Sequence, residues 1–148
     1  MSAGPSIRLR VLRDFCAALA AVAPVYRDPS APVPAEVPRW LVVNDDGHEA
    51  SGEFAEGEGV RSLGLTVECH ARGAATDEEA EALADALYCD AVAAFCADRS
   101  RGGLAFDTRE TSCAFGKAEG EDRELVAFAS IGVAVEFAAD PADPRSAP

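Results

Sequence analysis

The sequence predicts an α+β domain, an antiparallel or mixed β-sheet packed on one face by two α-helices in the chain order α-β-β-α-β-β. Two stretches, 60–72 and 125–137, alternate apolar and polar residues, as strands with one buried face do. Two others, 6–23 and 76–97, place apolar side chains three and four residues apart, as core-facing helices do. No internal repeat or shift of composition divides the 148 residues. A chain of that length buries roughly 68–70% of its unfolded surface and suits one domain. It is expected at 1–138, followed by a flexible Pro/Asp-rich tail at 139–148.

The first helix is expected over 6–23, with Ile7, Val11, Leu12, Phe15, Cys16, Leu19 and Val22 as its apolar stripe and Pro24 as its stop. Arg8, Arg10 and Arg13 ahead of an apolar run ending Ala21-Val22-Ala23 resemble a short signal peptide. Asp14 interrupts that pattern while the helical spacing runs through it, so an uncleaved amphipathic helix of a cytosolic protein is expected instead. Residues 25–38, with Pro29, Pro32, Pro34 and Pro38, read as an extended surface link in which Val25-Tyr26 is an extended fragment.

Arg39-Trp40-Leu41-Val42-Val43 reads as a short strand, and the acidic, Gly-rich stretch 44–59 as a solvated loop. Residues 60–72 put Leu63, Leu65, Val67, Cys69 and Ala71 on one face and Ser62, Thr66, Glu68 and His70 on the other. Thr76-Asp77-Glu78-Glu79 is a capping box, in which the Thr76 hydroxyl accepts from the Glu79 amide and Glu79 reaches back to the Thr76 amide. The helix it starts carries Ala80, Leu83, Ala84, Leu87, Tyr88, Ala91, Val92, Phe95 and Cys96 as its stripe, with three acids at the positive end of its dipole. Gly102-Gly103 breaks the chain before an extended stretch at 104–115. A polar turn at 119–122 then leads into the last strand, completing a long hairpin. Pro141 and Pro144 keep the tail out of any sheet.

Twenty-six acidic against 13 basic side chains leave a net charge of -13, which argues against a protein that grips phosphate backbones. No run approaches the ~18–20 apolar residues of a membrane span. Five cysteines with no C-x-x-C pair disfavour a disulfide framework or zinc ribbon, and Cys89 and Cys96, seven apart, are expected on a shared buried helix face. The sequence offers no catalytic signature: G-x-S-x-G is absent, and Cys69 and His70, adjacent on a strand, point to opposite faces. Gly116-Lys117-Ala118 lacks the remaining residues of a phosphate loop. Asn44, Asp45, Asp46 and Glu49 supply oxygens but not the spacing of a calcium loop. No catalytic, cofactor-binding or metal residue is therefore assigned.

A helix, a Pro-rich link, a "PRWLVV" strand at 38–43, an acidic loop, "RSLGLTVECHAR" at 61–72, the helix "TDEEAEALADALY" at 76–88 and a hairpin ending "IGVAVEF" at 131–137 follow one another over residues 7–138. This order resembles the tail-terminator (tail-completion) proteins of long-tailed bacteriophages and phage-like gene transfer agents. The resemblance implies a structural virion protein without enzymatic residues. It would form a hexameric ring at the head-proximal end of the tail tube, contact the tube protein and the head-tail connector or stopper, and let DNA pass through its lumen without specific binding. Six copies would carry -78 formal charges, six times -13, and acids lining such a channel would let DNA slide. Tyr26, Arg39 and Trp40 are the expected aromatic and Arg anchors between subunits, and Asp45, Asp46, Glu49 and Glu53 the expected partner contacts in the acidic loop. Another neck subunit, such as a stopper or adaptor, has similar features, and a small ligand-binding α+β domain is the reading from a different class.

Overall fold

The computed structural model describes residues 4–28, 30, 32–50, 59–119 and 124–148. Over these residues the fold is α+β, with two helices and a five-stranded mixed sheet. The elements run α1 (Ile7–Leu19), β1 (Val25–Tyr26), β2 (Arg39–Ala50), β3 (Val60–Ala74), α2 (Asp77–Cys96), β4 (Ala105–Glu119) and β5 (Leu125–Ala138). The strands are ordered β1-β2-β3-β5-β4. The expected α-β-β-α-β-β order is thus corrected by one strand: Val25 and Tyr26 pair in parallel with Leu41 and Val42, which is what makes the sheet mixed.

β3 pairs antiparallel with β5, and β5 with β4, so β3 and β4 run in the same direction with β5 between them. α2 makes the crossover from β3 to β4, and β5 runs back antiparallel between them to fill the gap, a split β-α-β arrangement. Alternation in β3 and β5 sends Leu63, Leu65, Val67 and Cys69, with Ile131, Val133, Val135 and Phe137, into one buried cluster. Val11, Phe15 and Leu19 of α1 and Leu87, Ala91 and Phe95 of α2 belong to the same cluster. Phe15 and Phe95 meet with ring centroids 5.3 Å apart, joining the two helices, and loss of either ring would cost about 3–5 kcal/mol.

The helix ends carry their own signals. The Ser6 hydroxyl accepts from the Leu9 amide at 3.1 Å, and the Thr76 hydroxyl from the Glu79 amide at 3.2 Å. Glu79 reaches back to the Ala75 amide, at 2.8 Å, rather than to that of Thr76. α1 ends at Leu19, earlier than its apolar stripe suggested, and the chain turns before Pro24. At the far end of α2, Arg101 is 1% exposed and adopts φ 51. Its Nε donates to the Asp98 carbonyl at 3.0 Å and its Nη2 to the Phe95 and Asp98 carbonyls, so a guanidinium closes the helix where its dipole is negative. Asp14, the residue that broke the signal-like pattern, lies 3.5 Å from Arg101 Nη1.

The expected loop at 44–59 is corrected over its first half: β2 continues to Ala50, paired with β3 as far as Arg61. Asp, Asn and Gly are poor strand formers, but the strongly alternating β3 supplies a template that outweighs their propensity. Side chains follow the pairing, with the Thr66 hydroxyl donating to Asp46 at 2.6 Å and Asn44 to Glu68 at 3.2 Å. The register shifts between Asp45 and His48, where Gly47 has φ 90, as a bulge requires. The later extended segment is longer than 104–115, reaching Glu119. Cys89, expected on a buried face, is exposed, because the core-facing side of α2 is set by Ala80, Ala84, Leu87, Ala91 and Phe95.

The tail joins no strand of the five but turns back on the fold. Pro144 O accepts from the Ile7 amide at 2.9 Å and Arg145 Nε donates to Gly4 O at 2.9 Å. Gly59, at φ 74, abuts Ala139 so closely that a Cβ would stand 1.8 Å from its carbonyl oxygen.

Candidate functional site

Alternation divides the expected contact residues between the two sheet faces. Trp40 and Val42 pair with His70 and Glu68, opposite to the parity of the buried cluster. There the Trp40 ring stacks on His70, centroids 5.1 Å apart at 9°, and the Arg72 guanidinium lies 4.5 Å over the same ring. Trp40 is only 9% exposed, so as an isolated chain the protein already covers its one tryptophan. Tyr26, carried onto this face by its pairing with Val42, borders a cavity of about 470 Å³ with Trp40, Glu68, His70 and Arg72. Burial against these neighbours pushes the His70 pKa below its ordinary value, outweighing the opposite pull of Glu68.

Arg39 sits apart from that cavity. It is exposed, donates to the Val22 carbonyl at 3.0 Å and faces Asp90 at 3.5 Å, tying the start of β2 to the turn after α1 and to α2.

Asp45, Asp46 and Glu49 lie on the outer half of β2 rather than in a loop, and Glu53 falls outside the described residues. Asp45 is engaged by Arg8 of α1 and accepts from the Gly47 amide at 2.9 Å. Partial burial raises its pKa, but the Gly47 amide and the Arg8 charge outweigh it and hold the carboxyl below the usual range. Asp46 is occupied by Thr66, while Glu49 is exposed beside Ser62 and His48. Burial, and then the charges of Arg8 and Arg61, lower the His48 pKa. Among the described residues, no group of three or more His, Cys, Asp or Glu side chains converges to hold a metal ion, and no helix is long and apolar enough to cross a membrane.

The sequence reading missed a second surface, along β4. This strand pairs with β5 on one side and has no described strand on the other. Phe106 and Phe115 are 65% and 53% exposed, the largest apolar exposures among the described residues. Phe115 meets Tyr88 edge-on at 5.4 Å, and the Tyr88 hydroxyl donates to Glu110 at 2.9 Å. That bond, followed by desolvation, pushes the Tyr88 pKa up to about 12. The weak alternation of 104–115 concealed this edge; the two exposed phenylalanines were its only visible signal. Cys69 lies in the core with its thiol pushed up to about 12 by burial, on the face opposite His70.

No protein-family model matches the chain, and no curated protein matches it either.

Proposed function

We propose that this chain is a structural subunit of a phage-like tail, a tail terminator that assembles as a hexameric ring at the head-proximal end of the tube, stops its growth and joins it to the neck. An α+β fold of two helices and a five-stranded mixed sheet among the described residues is compatible with the resemblance to tail terminators. The observation that carries the reading is the unfinished β4 edge: 15 residues long, with no described strand on its outer side, and carrying exposed Phe106 and Phe115 within it. Monomeric proteins blunt or cover such edges, and an assembly of copies covers them.

In this reading the partners are further copies of the chain, the tube protein and the connector or stopper, and DNA passes through the lumen unbound. A stopper or adaptor ring would use the same features. The cavity beside Trp40, lined by Tyr26, His70 and Arg72, is the one observation favouring a small-ligand domain instead.

The test is assembly. Native mass spectrometry and negative-stain microscopy should find rings of about 92 kDa, six times 15.4 kDa, alone or on tube ends. The protein added to polymerising tube protein from the same genome should arrest its growth. A chain that stays monomeric and leaves tube length unchanged refutes the proposal.

A further inference from the structure

Charge is segregated between the two helices. α2 contains Asp77, Glu78, Glu79, Glu81, Asp85 and Asp90 and no basic residue. α1 contains Arg8, Arg10 and Arg13 against the single acid Asp14. Much of this charge is satisfied inside the chain: Arg8 by Asp45, Asp77 by Lys117 at 3.3 Å, and Asp90 by Arg39. What remains, besides exposed Glu78 at the start of α2, is two spaced pairs. Arg10 and Arg13, three apart and both exposed, have no acidic partner among the described residues, and neither Glu81 nor Asp85, four apart and both exposed, has a basic one.

Glu81 and Asp85 together, and Arg10 of the basic pair, border different grooves. Glu81 and Asp85 rim a groove of about 470 Å³ between α2 and the end of β4, floored by Ala84, Phe115 and Gly116, with Lys117 turned to Asp77. Arg10 borders a smaller groove beside Phe106, at the start of β4. Phe106 and Phe115 stand nine positions apart on β4, a span that its two register shifts bring to roughly 25 Å at the strand rise. The patches are therefore unlike, complementary and at opposite ends of β4, as a head-to-tail contact, the kind from which rings are built, requires.

Resting on the ring reading above, we infer that Arg10 and Arg13 of one copy dock into the Glu81, Asp85 and Phe115 groove of the next. An arginine there finds two carboxylates for its guanidinium and an exposed aromatic ring to stack on, the combination that anchors interfaces. The neighbour's α1 stem would cover Phe115, the second-largest apolar exposure described.

Charge reversal tests this without touching the core, since all four side chains are exposed. Arg10→Glu with Arg13→Glu, and separately Glu81→Arg with Asp85→Arg, should each weaken self-association about 100-fold or more by facing like charges across the contact. Circular dichroism should show both chains folded. Mixed in equal amounts, the two variants present opposite charges at every junction and should reassemble in alternation, as measured by light scattering and native mass spectrometry. If either variant alone assembles like the wild type, or if the mixture fails to reassemble where the wild type does, the contact is wrong while the ring reading stands. A wild-type chain that stays monomeric at every concentration and on tube ends overturns both.

Discussion

Replacing Arg101 with alanine tests the structure at its most buried charge. The guanidinium donates to the Phe95 and Asp98 carbonyls at the end of α2, and it stacks 5.7 Å from the Phe15 ring. Hydrogen bonds from a charged donor contribute about 1.5–3 kcal/mol each, and truncation leaves the Phe95 carbonyl facing the core without a partner. The loss is limited because Arg101 Nη1 has no hydrogen-bond partner of its own, only Asp14 at 3.5 Å. A cost of about 3–5 kcal/mol follows, large against the 5–15 kcal/mol typical of a domain. Because Arg101 holds φ 51, glycine at this position should be less damaging than alanine: relief of about 1–2 kcal/mol of left-handed strain outweighs the extra chain entropy of glycine. Urea unfolding followed by far-ultraviolet circular dichroism and Trp40 emission measures both, and the m-value should be unchanged. A loss below about 1 kcal/mol for Arg101→Ala, or alanine outperforming glycine, would refute the capping account.

The remaining expectations use other parts of the fold. Burial lowers the pKa values of His70 and His48, so the stability they lend is complete above the ordinary value near 6.5 and is lost as pH falls through the lower folded values; NMR titration of either at or above 6.5 would contradict this, and His70→Gln should flatten the acid limb. Gly59→Ala should cost at least about 2 kcal/mol more than Gly73→Ala in urea unfolding, because both have positive φ but only Gly59 presses on Ala139; equal losses would mean that the tail does not dock there. Cys89 should be alkylated within minutes and Cys69 only on unfolding, its thiol being buried and pushed up to about 12; equal rates in mass-spectrometric mapping would place Cys69 outside the core.

Sequence periodicity located the elements whose faces differ in burial. The alternations of 60–72 and 125–137 identified the central pair β3 and β5 with their buried parity, and the Thr76 capping box marked the start of α2. Periodicity was silent where a neighbour decides the conformation. Asn44–Ala50 is a strand because β3 lies beside it and carries no strand signal of its own, while Val25–Tyr26, legible as an extended fragment, becomes a sheet strand only because β2 lies beside it. The candidate contact surfaces were legible only in part for the same reason. Trp40, Tyr26 and the acids of β2 stand out by residue type, whereas the stacking of Trp40 on His70 and Arg72 depends on strand register, and the Phe115 groove on the crossover of α2.

Acidity, which first excluded a phosphate-gripping protein, has two competing uses in a ring. Acids committed to subunit contacts cannot line the lumen, so if Glu81 and Asp85 meet arginines, channel charge must come from elsewhere, with exposed Glu49 at the end of β2 as one source. Closing the proposed ring would also bring copies of net charge -13 together, and that repulsion acts over distances at which salt screens it. Arginine–carboxylate pairs shielded inside a groove are screened less. Raising ionic strength from about 0.01 to 0.15 M shortens the Debye length from roughly 30 to 8 Å, and should therefore strengthen assembly, because it removes more repulsion than attraction. Sedimentation across that range reads the sign directly. Steady weakening with salt would mean that the attractive pairs lie at an exposed rim, where they could neither anchor the contact nor offset the charge of six copies.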